Sequence, residues 1–368
     1  MKIVHITSAH SRYSTRIYHK MALSSVKAGH DVCIVVADGK QNQQTSGVSF
    51  YDVGQFKNKF LRILVSSFKA VLMAKSLKAD IYHLHDPDLL FWALLLRSAG
   101  GKIFFDSHED YPVQILHKHY LPKLLRKPLS IIFNYMQFFI CKELNGVVTA
   151  TPFIRKKFEK YIDKTIDIKN YPLKSEFDVS KETEKNLENK SFNITYIGGI
   201  TSVRGIKEVV SSFELLGEQF SLKLAGRFLE SDLKNNLESM PGWDNVEYMG
   251  FLSRSEVVDL LSKSDCGIVT LHPIENYIDA LPIKMFEYMA MGLPVIASDF
   301  PLLRTILERY DCGLLVDPLD PIAISEAINY LHNNPTRAEE MGSNGKSAFY
   351  SNLNFDNEAI ALNDFYEN

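Results

Sequence analysis

Two cations follow a pair of glycines in the stretch YIGGITSVRGIKEVV (196–210). The pattern predicts a strand that ends at Gly198 and Gly199, then a short polar turn, then a helix. Glycines let backbone N–H groups approach a ligand, and a helix start favours an anion. Arg204 and Lys207 lie at that same end, where cations oppose the helix dipole, so an external anion such as a diphosphate would compensate. An exposed helix start without a ligand is the alternative.

A second charged pair lies in ALPIKMFEYMAMGLPVIASD (280–299). Apolar residues at helical spacing predict a helix that Gly292 ends, followed by the strand VIAS. The strand-like run CGIVTL lies upstream, so the helix start is expected at the carboxyl end of a parallel strand, where open α/β sheets bind ligands. Glu287 could accept hydrogen bonds from sugar hydroxyls. A solvated pair of Lys284 and Glu287 on the helix surface is the alternative.

A histidine beside carboxylates follows the apolar run of FFDSHEDYP (104–112). A histidine at a strand end next to a carboxylate is a common arrangement for acid–base chemistry, which makes His108 a catalytic candidate. The alternative is a structural histidine that donates to a backbone carbonyl.

A D-x-D pattern, Asp86-Pro-Asp88, resembles the motif with which some sugar transferases hold a metal ion. Pro87 follows a predicted strand and is expected to open a helix with Asp86 as its N-cap. We therefore predict no metal site and no cofactor.

Strand-like runs that alternate with helical stretches position all of these residues. In the first half the runs are KIVHIT, DVCIVVA, IYHLH, KIFFDS and GVVTAT. In the second half they are FNITYIGG, FSLKLAG, NVEYMGF, CGIVTL, PVIAS and CGLLVD. This rhythm predicts an α/β fold with two doubly wound, mostly parallel sheets in tandem. We expect an N-terminal domain at 1–172, a linker at 173–191, a C-terminal domain at 192–352 and a final helix at 353–368 that packs back on the N-terminal domain.

Composition agrees with two globular domains, because 46% of the 368 residues are hydrophobic and 23% are charged. Residues 1–175 hold 26 Lys and Arg against 13 Asp and Glu, a net +13, and the remainder is −16, which gives the total of −3. Four scattered cysteines indicate a reducing compartment, and neither a signal peptide nor a transmembrane helix is predicted.

Two apolar stretches in the basic half also contain Lys and Arg, at 57–78 and 117–142. Interfacial helices have this composition. We interpret the first as a core-packed amphipathic helix. The second is richer in aromatic residues and predicts contact with an anionic membrane. Core packing is its alternative.

Several stretches, taken together and in order, resemble the retaining glycosyltransferases of glycosyltransferase family 4, which have the two-domain GT-B fold. They are TRIYHKMALSSVKAGHDV, IYHLHDPDLL, FDSHEDYP, YIGGITSVRGIKEVV, EYMGFLSRSEVVDLLSKSDCGIV and KMFEYMAMGLPVIAS, and they span nearly the whole chain.

The resemblance implies roles for individual residues. Glu287 resembles the acidic residue that holds the donor's ribose hydroxyls, and His108 resembles the cleft histidine beside the transferred sugar. Arg204 and Lys207 resemble the pair that grips the diphosphate, against the loop of Gly198 and Gly199.

The chain departs from the family pattern at two positions. Asp279 stands where the family's E-x7-E motif has its first Glu, and it is one methylene shorter. Gly199 stands where family members often carry Arg, so Arg204, Arg227 or Lys284 is expected to compensate. We also expect Phe251 to contact the donor.

The resemblance implies a metal-independent transfer of a sugar from a UDP- or GDP-linked donor to a lipid-linked saccharide in bacterial surface-polysaccharide synthesis. We expect no nucleic-acid partner and a cytoplasmic, peripheral membrane location. Arg12, Arg16 and Glu109 are the predicted acceptor-binding residues. A sugar-nucleotide epimerase or hydrolase on the same fold and a degenerate, non-catalytic binding module are the alternatives.

Overall fold

The computed structural model describes residues 1–56, 58, 61–117, 121–178 and 191–368. The chain divides into two units, of which the first comprises Met1–Asn170 and Asp356–Asn368 and the second Tyr171–Phe355. Each unit is built around one mainly parallel sheet. The predicted α/β class, with two Rossmann-like sheets, is confirmed.

The first unit contains an eight-stranded sheet in the order β3-β4-β2-β1-β5-β6-β7-β8, in which only the β3–β4 pair is antiparallel. Its strands are β1 Lys2–Ile6, β2 Asp31–Val36, β3 Gln43–Thr45, β4 Val48–Asp52, β5 Ile81–Leu84, β6 Lys102–Ser107, β7 Gly146–Thr149 and β8 Thr165–Asp167. Five of them are the predicted runs. The other three, β3, β4 and β8, are short and carry polar residues, so they lack the apolar pattern of a buried parallel strand.

Helices connect these strands and cover the sheet. They are Thr15–Ala22, Leu23–Lys27, Arg62–Ser66, Ser67–Ser76, Pro87–Ala99, Tyr111–His117, Lys123–Lys142, Pro152–Phe158 and the C-terminal Phe355–Glu367. The C-terminal helix packs against the first sheet, where the Tyr366 hydroxyl lies 2.6 Å from Nδ1 of His83.

The second unit contains a six-stranded, fully parallel sheet in the order β11-β10-β9-β12-β13-β14. Its strands are β9 Phe192–Ile197, β10 Phe220–Ala225, β11 Val246–Gly250, β12 Cys266–Val269, β13 Val295–Ser298 and β14 Gly313–Val316, and all six lie within predicted runs. The chain order reverses between β9 and its neighbours β10 and β12, which is the switch point at which parallel sheets form ligand crevices.

The helices of the second unit follow the same alternation. They are Ile206–Phe213, Leu233–Glu238, Arg254–Ser262, Glu275–Ile278, Ile283–Ala290, Pro301–Tyr310, Pro321–Asn333 and Pro335–Ser351, with short 3₁₀ turns at Lys174–Glu176, Ser202–Arg204 and Pro241–Asn245. Ser253 caps its helix by accepting from the Glu256 backbone N–H, and the Glu256 side chain accepts from the Ser253 N–H.

The predicted linker at 173–191 needs a correction at its start. Phe177 is buried, lies in the core of the second unit and packs against the Phe349 ring. This part of the stretch therefore belongs to the second unit because an aromatic side chain anchors it there. Residues 179–190 lie outside the described residues.

Candidate functional site

Two loops meet at the carboxyl edge of the second sheet. Gly198, after β9, has a φ of +111°, and Gly226, after β10, has a φ of +152°. A Cβ atom on Gly226 would collide with the Gly198 carbonyl, so the close approach of these loops requires glycine. The Ser202–Arg204 turn and the helix start at Ile206 complete this edge.

Arg204 lies across the glycine loop. Its Nη1 donates to the Gly199 carbonyl at 2.9 Å, and its Nε lies 3.4 Å from the Tyr277 hydroxyl. A Cβ atom on Gly199 would lie 2.9 Å from that Nη1. The absence of a side chain at position 199, where the family often carries Arg, is therefore what gives the Arg204 guanidinium its place.

Lys284 is a buried cation beside this arginine. Its Nζ lies 3.5 Å from the centre of the Tyr196 ring and has no hydrogen-bond partner among the described residues. Burial, and then the nearby Arg204 charge, lower the pKa of Lys284 well below its ordinary value, while Glu287 opposes that shift. A desolvated ammonium without an acceptor is costly unless an anion binds next to it.

Glu287 does not pair with Lys284, although the two lie one helical turn apart. Its Oε1 accepts from Arg254 Nη1 at 2.6 Å, and Arg254 Nε also contacts Glu176 Oε2 at 2.7 Å. The Arg254 guanidinium lies over the Phe177 ring. The simple solvated-pair interpretation is thereby excluded, and Arg254 is a site residue that the sequence reasoning missed.

The remaining predicted donor residues lie on the same unit with looser contacts. Lys207 is exposed in the first turn of helix Ile206–Phe213, and the exposed Arg227 stacks over the Phe251 ring at 4.2 Å. Asp279 ends the short helix Glu275–Ile278 and is partly exposed. Sequence reasoning missed that helix, because a single turn leaves no periodic pattern.

In the first unit, the ends of β1, β5 and β6 bring two histidines together. His10 Nδ1 lies 2.8 Å from Asp86 Oδ1, and the His10 and His108 rings are 5.2 Å apart. Asp86 raises the pKa of His10, whereas burial lowers the pKa of His108. The Tyr111 hydroxyl lies 3.3 Å from His108 Nδ1. His10 was missed by the sequence reasoning, since its partner is 76 residues away along the chain.

The Asp86 carboxylate serves the β1 loop instead of capping its own helix. It accepts from the Thr7 hydroxyl at 2.7 Å and from the Ser8 and Ala9 backbone N–H groups at 2.7 and 3.1 Å. Asp88 accepts from the Ser8 hydroxyl at 2.7 Å. The N-cap position of Asp86 is as predicted, but its side chain makes no capping bond there. Both aspartates thus fasten the loop that carries His10.

A buried histidine network lies below this edge. His5 Nδ1 lies 2.9 Å from His85 Nε2, and His85 Nδ1 lies 3.1 Å from Asp106. The His83 ring joins the same cluster, with its centre 5.4 Å from that of His5 and 4.4 Å from that of His85, and its Nδ1 lies 2.6 Å from the Tyr366 hydroxyl. Burial lowers the pKa of His85 to about 4 and the pKa values of His5 and His83 well below their ordinary value, so the three rings are neutral at neutral pH.

The structure gives Arg12 and Arg16, two of the predicted acceptor-binding residues, partners within the first unit. Arg12 is buried and forms a bidentate salt bridge with Asp38, with hydrogen bonds of 2.9 and 2.8 Å. Arg16 pairs in the same way with Asp106, at 2.8 Å for both bonds. Arg12 also donates to Gln43, and Arg16 to the Ile168 carbonyl. These internal partners occupy both guanidinium groups, so both arginines are structural. Glu109, the third predicted acceptor residue, is exposed in the loop after β6.

Comparison with known proteins agrees with this architecture. Residues 14–167 match the family model described as Glycosyltransferase Family 4, and residues 178–348 match the model Glycosyl transferases group 1. Sucrose-phosphate synthase from Thermosynechococcus elongatus superposes with a TM-score of 0.77 at 17% identity, over 100% of this chain and 98% of that one. HepE from Anabaena in complex with UDP superposes with a TM-score of 0.75 at 13% identity, over 100% of both chains. The chain has the GT-B fold, and each of its two halves matches a glycosyltransferase family model.

Among sequence relatives, the chain is 25% identical over 180 residues to the capsular polysaccharide biosynthesis glycosyltransferase CapM of Staphylococcus aureus. That match covers 47% of this chain and 46% of the relative. The matches to the curated relatives span between 28% and 57% of their lengths.

Proposed function

We propose that this protein transfers a sugar from a nucleoside-diphosphate sugar to an acceptor hydroxyl, with retention of the anomeric configuration. The observation that carries the proposal is the pair of Arg204 and Lys284 at the glycine loop. Lys284 Nζ is buried without a hydrogen-bond acceptor, and the Arg204 guanidinium lies over Gly199. Two adjacent cations beside the glycine loop, in which Gly198 has a φ of +111°, suit a diphosphate.

Each donor residue has a role in this proposal. Arg204, Lys284 and the exposed Lys207 face the diphosphate, with the backbone of Gly198 and Gly199 against it. Glu287 accepts from the ribose hydroxyls, held in place by Arg254 through its Oε1. Asp279 contacts the transferred sugar, and Arg227 together with Phe251 forms the outer wall of the donor site. HepE, a neighbour by fold, is described in complex with UDP, which supports a uridine or related nucleotide as the carrier.

The reaction needs stabilisation of a leaving diphosphate. An acceptor hydroxyl oxygen forms a bond to the anomeric carbon, and the bond from that carbon to the diphosphate oxygen breaks. The acceptor proton passes to the leaving diphosphate, and the cations stabilise the charge that develops on it without a metal ion. His108, with His10 and Asp86 beside it, is the proposed catalytic residue of the first unit.

The acceptor is proposed to be a lipid-linked saccharide at an anionic membrane. Helix Lys123–Lys142 exposes a row of apolar side chains, with exposed fractions of 90% for Leu124, 64% for Ile132 and 65% for Phe139. Lys123, Arg126 and Lys127 lie near its start. Apolar insertion together with basic residues suits an anionic lipid surface. In the described part of the chain, no helix has the length and hydrophobicity to cross a bilayer. Lys118 and Tyr120, part of the same predicted stretch, lie outside the described residues.

The epimerase or hydrolase alternative is not favoured, because both halves of the chain match glycosyltransferase models. The direct test is incubation with a panel of UDP- and GDP-sugars, with and without a lipid-linked saccharide extract and with and without EDTA. We expect acceptor-dependent release of nucleoside diphosphate from one donor, unchanged by EDTA. Release of nucleoside diphosphate at the same rate with and without the acceptor would favour a hydrolase. Failure of every donor to bind would contradict the proposal.

A further inference from the structure

A partly open pocket of about 210 Å³ lies in the first unit, beside the loop that carries His108. Three elements enclose it, namely the loop after β6, the middle of helix Lys123–Lys142 and the end of helix Pro152–Phe158 with the residues that follow it. This space is many times the roughly 10–15 Å³ that one ordered water needs, so it has room for a small ligand. The sequence pattern gave no sign of it, and none of the donor residues lines it.

One wall of this pocket holds a polar atom that lacks a partner. Gln137 lines the cavity and is only 8% exposed, and its Oε1 has no hydrogen-bond partner among the described residues. Leaving a buried amide oxygen unpaired is unfavourable, because the water that solvated it is lost and nothing replaces its hydrogen bond. Such an atom is tolerated where a ligand or an ordered water donates the missing hydrogen bond to it. It therefore indicates an occupant that can donate a hydrogen bond.

The rest of the lining indicates which kind of occupant fits. Two acidic and two basic side chains, Glu109, Asp110, Lys157 and Lys160, bring no net charge, and Lys157 already pairs with Asp110. An anion such as phosphate would meet the carboxylates, and a hydrocarbon chain would desolvate the ion pair and the Gln137 amide. A neutral molecule rich in hydroxyl groups avoids both costs.

Aromatic rings complete the wall. Tyr111, Phe138, Phe158 and Tyr161 line the pocket, and the Phe138 and Tyr161 rings lie edge to face with centres 4.3 Å apart. Flat apolar faces beside a few directed polar groups are typical of small-molecule sites, and they match the apolar face and hydroxyl rim of a pyranose ring.

We propose that this pocket is a carbohydrate subsite that receives one pyranose ring of the acceptor, with the Gln137 amide oxygen accepting from a ring hydroxyl and Tyr161 flanking the ring. This assignment rests on the proposed function, because it identifies the acceptor as a saccharide. Helix Lys123–Lys142 carries both Gln137 and the exposed apolar row, so a saccharide held here would lie next to the lipid surface proposed above.

Saturation-transfer NMR with simple sugars tests the subsite without the natural acceptor. The probes are methyl α-D-glucopyranoside, methyl α-D-mannopyranoside, methyl α-L-rhamnopyranoside and N-acetylglucosamine, each offered to the full chain. We expect at least one to bind, and Gln137→Leu to weaken that binding at least fivefold. The melting temperature of Gln137→Leu should be no lower than that of the natural protein, because the unpaired amide is removed. Gln114→Leu, on helix Tyr111–His117 and outside the pocket lining, is the matched control.

A second variant guards against a folding defect. Tyr161 is 52% exposed, so Tyr161→Ala should leave the fold intact and weaken the binding of the same sugar. Failure of every probe to bind the natural protein at 50 mM, or binding that both variants leave unchanged, would overturn the proposal and leave a water-filled pocket. Thermal stabilisation by UDP or GDP, measured on the same samples, reports the donor site separately. The two proposals can therefore fail independently.

Discussion

The Lys284 ammonium lies 3.5 Å from the centre of the Tyr196 ring, and among the described residues nothing accepts a hydrogen bond from it. A cation over an aromatic face gains part of the attraction it lost on leaving water. The ring does not replace a hydrogen-bond acceptor. The arrangement therefore keeps a buried amino group without a hydrogen-bond acceptor at the edge where Arg204 and the glycine loop lie.

Gly199→Ala should weaken donor use without unfolding the protein. The new Cβ would press on Arg204 Nη1 at 2.9 Å and on Leu229 Cδ1 at 3.0 Å, and both are ends of flexible side chains that can shift. Moving the guanidinium should lower kcat/KM for the donor about tenfold, which corresponds to about 1.4 kcal/mol. Steady-state kinetics with varied donor measures this.

A double-mutant cycle supplies the control for that prediction. If Gly199→Ala acts through the arginine, it should have no further effect in an Arg204→Ala background. If the losses in donor kcat/KM from Gly199→Ala and Arg204→Ala were additive, Gly199→Ala would not act through Arg204.

His10→Gln should lower kcat at least tenfold while the donor affinity stays the same. His10 lies 2.8 Å from Asp86 and beside the His108 ring, in a unit that contains none of the proposed donor residues. Turnover at saturating donor, with nucleotide affinity measured by calorimetry, separates the two effects. His19→Gln, at an exposed position of the neighbouring helix, should change neither quantity. A loss that appears only as weaker nucleotide binding would contradict this role.

How far the sequence could predict the structure depends on whether partners were near in the chain. The strands, the helix of Lys284 and Glu287 and the glycine loop were foreseen because apolar spacing and glycine positions are local signals. The Lys284–Tyr196 and Arg254–Glu287 contacts were not, because they depend on which strands are neighbours in the folded sheet. The pairing of Arg12 with Asp38 was not foreseen either, since a sequence gives the residue type and not the partner.

Stability of the first unit should fall as the pH drops below about 6.5. The buried rings of His5, His83 and His85 are neutral in the fold, and burial holds their pKa values below those of the unfolded chain. The unfolded state therefore binds more protons in this range, and stability is lost from pH 6.5 down toward the folded pKa of about 4 for His85. Between pH 7.5 and pH 5.0 one such histidine costs about 2 kcal/mol of unfolding free energy.

Thermal melts at pH 7.5, 6.5, 5.75 and 5.0 measure this dependence. His5→Asn should flatten the slope by about one proton, whereas His19→Asn, an exposed position, should leave it unchanged. An identical slope in both variants would show that other groups control the acid sensitivity.

Leu124→Glu and Ile132→Glu should each reduce binding to anionic vesicles at least fivefold. Both side chains are exposed on helix Lys123–Lys142, so the fold should tolerate the change while apolar insertion is lost and repulsion is added. Flotation with anionic and with neutral vesicles at low and high salt measures the effect. Ile360→Glu is the matched control, since Ile360 is 62% exposed on the C-terminal helix. Equal failure of the natural protein to float with both vesicle types would favour a soluble acceptor.

The most direct test of the donor site is nucleotide-induced stabilisation of Lys284→Met, measured by thermal shift with UDP and with GDP beside the natural protein. Removing a desolvated ammonium should leave the melting temperature of the empty variant equal or higher. Removing its contact to a diphosphate should weaken the affinity for the preferred nucleotide at least tenfold, so the shift at a fixed nucleotide concentration should shrink. Lys263→Met, an exposed lysine of the same unit, should retain the full shift. If Lys284→Met instead keeps the natural nucleotide affinity, the buried lysine is not part of a diphosphate site and the account is contradicted.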